Sequence, residues 1–161
     1  MNLFTVSLFG HRTIDDLRQL DNQLAPIIRE LLCKPIYIAF LIGRNGEFDE
    51  YAASVIKRTQ KELNRDNSDI TLVLPYAVAN TDDYEAYYHG IIIPEHLHGI
   101  HPKSAITARN RWMIERSDLV IAYVAHNQGG AYTAMKYAAK LNKNIINLCE
   151  SSKPPIPISF I

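Results

Sequence analysis

Apolar residues fall along this chain in two alternating rhythms. Short, nearly unbroken runs occur at LFTVSLFG (3–10), PIYIAFLIG (35–43), DITLVLPY (69–76), DLVIAYVA (118–125) and IINLCE (145–150). Runs of this kind suit strands covered on both faces. Between them the spacing changes to three and four residues. Ile14, Leu17, Leu20, Leu24, Ile27, Ile28, Leu31 and Leu32 predict an amphipathic helix, with Thr13 as its expected N-cap, acids in its first turn and a kink at Pro26. A second helix is expected from Phe48 to Asn64, a third through Ile106, Trp112 and Met113, and a fourth opening at Gly129-Gly130.

Strands alternating with helices predict the α/β class: a Rossmann-like, mostly parallel sheet with helices on both faces, as one domain over residues 1–161. From 76 to 103 the pattern loosens into Tyr84, Tyr87, Tyr88, His96, His98, His101 and a short GIIIPE run. That segment reads as an elaborated connection, the natural place for a lid or specificity loop. The tail at 151–161 is proline-rich and reads as an extended arm.

Composition narrows the function classes. Seventeen basic residues balance seventeen acidic ones, so no global field attracts nucleic acid or an anionic membrane, and nucleic acid is an unlikely partner on this ground. No apolar stretch approaches the roughly 18 residues of a membrane helix, and no signal peptide is expected. The expected location is cytoplasmic. Cys33 and Cys149 have no metal-type spacing and read as buried, reduced thiols. The irregular histidines of PEHLHGIH do not form a metal pattern, so no metal is expected. The chain has neither the Walker lysine pattern nor GxGxxG, and no cofactor is expected.

In open α/β sheets ligands bind beyond the carboxyl ends of the strands. Three polar, glycine-bearing junctions stand there: Gly10-His11-Arg12, Gly43-Arg44-Asn45-Gly46-Glu47, and His126 to Thr133. Glycine lets backbone approach a ligand. Gly129-Gly130 at a helix start aims N–H groups at an anion, with Thr133 one turn on; the plainer reading is a tight turn. Arg12, Arg44, Arg109 and Arg111 are candidate phosphate ligands, although Arg109 and Arg111, two residues apart on a helix, cannot point the same way. Glu47, Asp49 and Glu50 fall in a first helical turn, where acids stabilise the helix whatever the function. Alternatively, one of them holds ribose hydroxyls, with Asp49 or Glu50 as the general acid or base if the protein is an enzyme.

The early GHR, the GRNGEFDEYA after the second strand, the RNRWMIERSDLVIA before a late strand and the GGAYTAMKYA downstream together resemble the SLOG superfamily. The likeness covers most of the chain, from Ser7 to about Leu148, and is greatest to the YpsA-like branch of bacterial proteins. It implies a Rossmann-like fold that binds nucleotides or nucleotide-derived molecules. The superfamily includes the LOG-type phosphoribohydrolases and the DprA proteins. The hydrolases carry a PGGxGTxxE loop; here 43–50 lacks its paired glycines and threonine, while Asp49 or Glu50 stands near its glutamate and Arg109 or Arg111 near the partner arginine. The leading expectation is a nucleotide or ADP-ribose-like ligand bound at the sheet's rim in a sensing or regulatory role, in a homo-oligomer. The alternatives are a nucleotide N-glycosidase or nucleoside transferase, and an interaction module built on the 76–103 segment and the tail.

Overall fold

The computed structural model describes residues 2–44 and 46–150. Asn45 and the tail at 151–161, both named above, lie outside the described residues. The elements run β1 (Leu3–Gly10), α1 (Leu17–Cys33), β2 (Tyr37–Ile42), α2 (Glu47–Leu63), β3 (Ser68–Val73), α3 (Asp82–Tyr87), β4 (Gly90–Ile92), a single 3-10 turn at Glu95–Leu97, α4 (Pro102–Glu115), β5 (Leu119–Tyr123), α5 (Gly130–Lys140) and β6 (Asn144–Asn147). The strands form one six-stranded sheet in the order β4-β3-β2-β1-β5-β6, and every neighbouring pair is parallel. This is the Rossmann-like α/β architecture that the alternating rhythms predict.

Side-chain alternation along β1 divides the interior. Val6 and Leu8 enter a core with Leu24, Ile28 and Leu31 of α1 and with Phe48, Ala52 and Ile56 of α2. Phe9 instead enters a smaller core with Met113 and Ile114 of α4 and Ala134 and Ala138 of α5. One face of the sheet is therefore covered by α1 and α2, the other by α4 and α5. Because both faces of β1 are buried, its polar Ser7 needs partners, and its hydroxyl donates to the Met113 carbonyl and pairs with Ser117 Oγ.

Three local expectations change. First, α1 begins at Leu17 with Asp16 as N-cap, its carboxylate accepting from Gln19 N at 3.0 Å, so Thr13 is not the cap. The reason lies in a neighbouring loop: Glu47 Oε2 accepts from Ile14 N at 2.8 Å, Glu47 N donates to Arg12 O at 3.0 Å, and Ile14 is buried. Residues 12–14 are thereby held off the helical path. Glu47→Ala leaves the Ile14 amide without its acceptor and is expected to cost about 1 kcal/mol in urea unfolding. Second, α1 runs on through Pro26, which lies on its exposed side. Third, the 76–103 segment carries α3 and a sixth strand, β4, which pairs with β3 from Thr71↔Gly90 to Val73↔Ile92. Tyr88 anchors it in the main core, and burial pushes its hydroxyl pKa up to about 12. Cys33 is exposed, not buried, and Cys149 is half-buried; both are free thiols. Among the described residues no helix is long and apolar enough to cross a membrane.

Candidate ligand-binding cleft

The chain builds β2, β3 and β4 outward on one side of β1, then crosses to place β5 and β6 on the other. The order therefore switches between β1 and β5, where Gly10 pairs with Tyr123 at the carboxyl ends. In open α/β sheets a ligand binds at such a point, and a cleft of about 490 Å³ opens there. Its walls are Gly10 to Thr13 from the β1–α1 loop, Gly43 after β2, Asp49 of α2, Arg109 and Asn110 of α4, and His126 and Gln128 to Ala131 before and within α5.

The first two junctions are stitched into one wall. Besides the Glu47 bonds, a Cβ at Gly46 would lie about 2.4 Å from Arg12 Cα. Gly46 is thus required by the approach of the β1–α1 loop and does not itself line the cleft. Gly10 is likewise accounted for by packing, since a Cβ there would lie about 2.1 Å from the Phe48 ring.

Arg109 forms the floor. It is 3% exposed, beneath Gly43, where a Cβ would come within 3.0 Å of Nη1. Nη1 donates to Val73 O at 2.7 Å and Nε to Asn110 Oδ1 at 2.8 Å. Burial pulls its pKa below the ordinary guanidinium value, and the negative charge of Asp49 opposes that pull. Asp49 is 8% exposed, so a buried carboxylate and a buried guanidinium meet at one end of the cleft.

The opposite wall is the start of α5. Gly129 caps the helix with φ +93°, in the left-handed region that favours glycine. Among the described residues no side chain caps this end, and its first turn contains no acid. The leading N–H groups and the positive end of the helix dipole thus border the cleft without an internal anion. Thr133 turns back, its hydroxyl donating to Gly129 O at 3.1 Å.

His11 bridges to this loop. Its Nε2 accepts from Ala125 N at 2.9 Å, and its ring stacks on His126 with centroids 3.8 Å apart. An accepting Nε2 carries no proton. Burial, then the neighbouring His126, lower the His11 pKa, while Asp15 opposes them. The folded chain therefore favours neutral His11, and the unfolded chain takes up the proton first as pH falls through about 6.5. This contribution to stability is intact above that pH, declines as pH falls toward the lower folded value and is lost below it. The thermal midpoint is expected to fall between about pH 7 and 5 more steeply in the wild type than in His11→Gln, whose amide oxygen can still accept.

The other candidates lie outside the cleft. Arg44 reaches Tyr84, donating from Nη1 to the hydroxyl at 3.2 Å. Glu47 is held by Ile14 N, Glu50 is exposed, and Arg111 stands over the Tyr137 ring. The cleft residues absent from the sequence-based set are Leu8, Phe9, Thr13, Ile106, Asn110, His126, Gln128 and Ala131. Of these, His126 and Gln128 lie inside the HNQGG junction and were legible as polar positions at a strand end.

Fold comparison finds the same architecture in two solved structures. DNA processing protein A (DprA) from Streptococcus pneumoniae superposes with a TM-score of 0.64 at 15% identity, over 89% of this chain and 49% of that one. DNA processing protein A from Helicobacter pylori, solved for its single-stranded DNA binding mode, superposes at 0.57 with 18% identity, over 88% and 63%.
The fold is that of DprA.
No family model matches the sequence, and no curated protein is significantly similar to it. The chain spans about half of the first of these structures and under two thirds of the second. The SLOG resemblance implies this fold, since the DprA proteins are among the superfamily's members. One expectation is corrected: a DprA-fold protein is described as binding single-stranded DNA, so a balanced net charge is no ground for discounting nucleic acid. Net charge sums over the whole surface, whereas binding depends on the face presented.

Proposed function

We propose that the cleft binds a nucleotide or nucleotide-derived ligand through its phosphate, as a sensing or regulatory site rather than a hydrolytic one. The observation that carries this reading is the uncapped, acid-free start of α5 facing a cleft floored by Arg109 at the switch point. Arg12, exposed on the rim, is placed to add a second guanidinium. Of the three acids in the first turn of α2, Asp49 lines the cleft and is the candidate for ribose hydroxyls. Binding is favoured over hydrolysis by the motif itself. The paired glycines and threonine of PGGxGTxxE, which 43–50 lacks, stand at Gly129, Gly130 and Thr133. With that alignment the glutamate position is Lys136, an ammonium that cannot serve as a carboxylate.

A second reading, a single strand of nucleic acid, is favoured by the likeness to the Helicobacter pylori structure and presents the same phosphate chemistry. Thermal shift with nucleoside monophosphates, dinucleotides, ADP-ribose and the matching nucleosides tests the first reading. Stabilisation by the phosphorylated compounds and none by the nucleosides is the expected result. Absence of any shift at millimolar ligand would reject it, and release of free base during incubation would restore hydrolysis. Arg109 is a poor position for this test, because its loss strips the Val73 carbonyl of its donor and removes a buried positive charge that faces Asp49.

A further inference from the structure

Charge is divided unevenly between the two faces of the sheet. From Pro102 to Lys143, the stretch holding α4, β5 and α5, seven lysines and arginines are set against Glu115 and Asp118. Because the chain as a whole has 17 of each sign, the remaining residues carry the matching negative excess. Arg109 is buried, while Lys103, Arg111, Arg116, Lys136 and Lys140 are exposed. A neutral protein thus presents a cationic face where α4 and α5 cover the sheet.

The surface relief follows the same course. Ile106, Asn110 and Gly130 line the cleft, and they also line a groove of about 80 Å³ that continues between α4 and α5 past Thr107, Thr133 and Tyr137. Thr107 and Arg111 then border an open hollow with Lys103 and Ser104. In the groove, Arg111 Cζ stands 4.9 Å from the Tyr137 ring centroid. Tyr137 is fixed by a hydrogen bond from its hydroxyl to Glu115 Oε1 at 2.7 Å. An exposed guanidinium backed by an aromatic ring offers its free side to a nucleobase, which stacks on such planes.

We infer that single-stranded nucleic acid leaves the cleft along the α4–α5 groove, with a base on the Arg111–Tyr137 pair and phosphates at Lys103 and Lys140. The inference rests on the proposed phosphate site only for where the strand begins. Charge complementarity alone would also suit an acidic protein. Continuity with the cleft and the ring-backed arginine favour a polynucleotide.

Fluorescence anisotropy with a labelled oligo-dT of about 15 nucleotides, titrated at several salt concentrations, tests it. Arg111→Glu and Lys140→Glu are each expected to weaken binding about tenfold, and Lys140→Glu to flatten the log–log salt slope by roughly 0.7 for its lost phosphate contact. Arg111→Lys should keep most of the slope while losing affinity, because the charge remains and the stacking plane is gone. Both charge-reversal positions are exposed, and mononucleotide thermal shifts should be unchanged in them. Wild-type affinity in both reversals would overturn the inference, as would competition by poly-glutamate equal to that of unlabelled oligo-dT. If mononucleotides fail to bind while oligo-dT binding still depends on Arg111, the strand path stands and the cleft reading falls. The converse result removes the path and leaves the cleft.

Discussion

Gly10→Ala should lower stability by about 3 kcal/mol, at the upper end of the usual cost of overpacking a core. The methyl group would be built about 2.1 Å from the Phe48 ring, whose own side chain is fully buried. Neither partner has room to yield: Gly10 is pinned in the sheet opposite Tyr123, and Phe48 stands in the first turn of α2. At this chain length the loss corresponds to a fall in Tm of roughly 6–12 °C. Phe48→Ala removes Cγ and Cδ1, the two ring atoms nearest the added methyl group, so Gly10→Ala should cost markedly less in that background. A thermal or urea double-mutant cycle reads the difference directly. Additive losses would mean that Gly10 serves something other than this contact.

The second large effect separates binding from folding. Gly130→Glu is expected to abolish nucleotide stabilisation while leaving the unliganded protein at least as stable. A Cβ at Gly130 meets no atom of the described residues within 4 Å, and its φ is not in the left-handed region. Glutamate is also a better helix former than glycine by up to about 1 kcal/mol. Its carboxylate at the positive end of α5 adds a few tenths more. That same carboxylate occupies the place proposed for a phosphate and repels it. In the wild type, ligand at about a hundred times Kd adds roughly 2.7 kcal/mol, or a Tm rise of roughly 5–10 °C. In the variant that rise should vanish against an unchanged or higher baseline. A retained shift would move the phosphate elsewhere.

The sequence disclosed the alternation of elements because buried parallel strands and amphipathic helices each impose a period on apolar residues. It also disclosed three polar junctions, since strand ends on one rim share the need for glycine and polar residues. What it concealed depends on contacts between residues far apart. Thr13 is a sound N-cap by local rules, but Glu47, 33 residues away from Ile14, takes the amide that would have begun the helix. Gly10 and Gly46 read as ligand-facing glycines until the Phe48 ring and the Arg12 backbone are seen against them. The three residues of β4 are too few to give a period. Arg109 and Arg111 are indistinguishable by composition; only packing against Val73 on one side and Tyr137 on the other separates floor from groove.

The pairing of β1 with β5 also governs when the site comes into being. Asp118 Oδ2 accepts from Thr5 N at 2.8 Å across 113 residues, and Gly10 meets Tyr123 at the other end of the same ladder. During synthesis the first four strands can assemble in order, yet β1 remains an open edge until β5 emerges beside it. Half the cleft, from Arg109 to Ala131, arrives with or just around that pairing. Such late, long-range closure slows folding and leaves an unpaired strand exposed in the meantime. A ligand held across the β1–β5 seam would therefore engage only the finished fold, and would act as a clasp on a joint between distant parts of the chain.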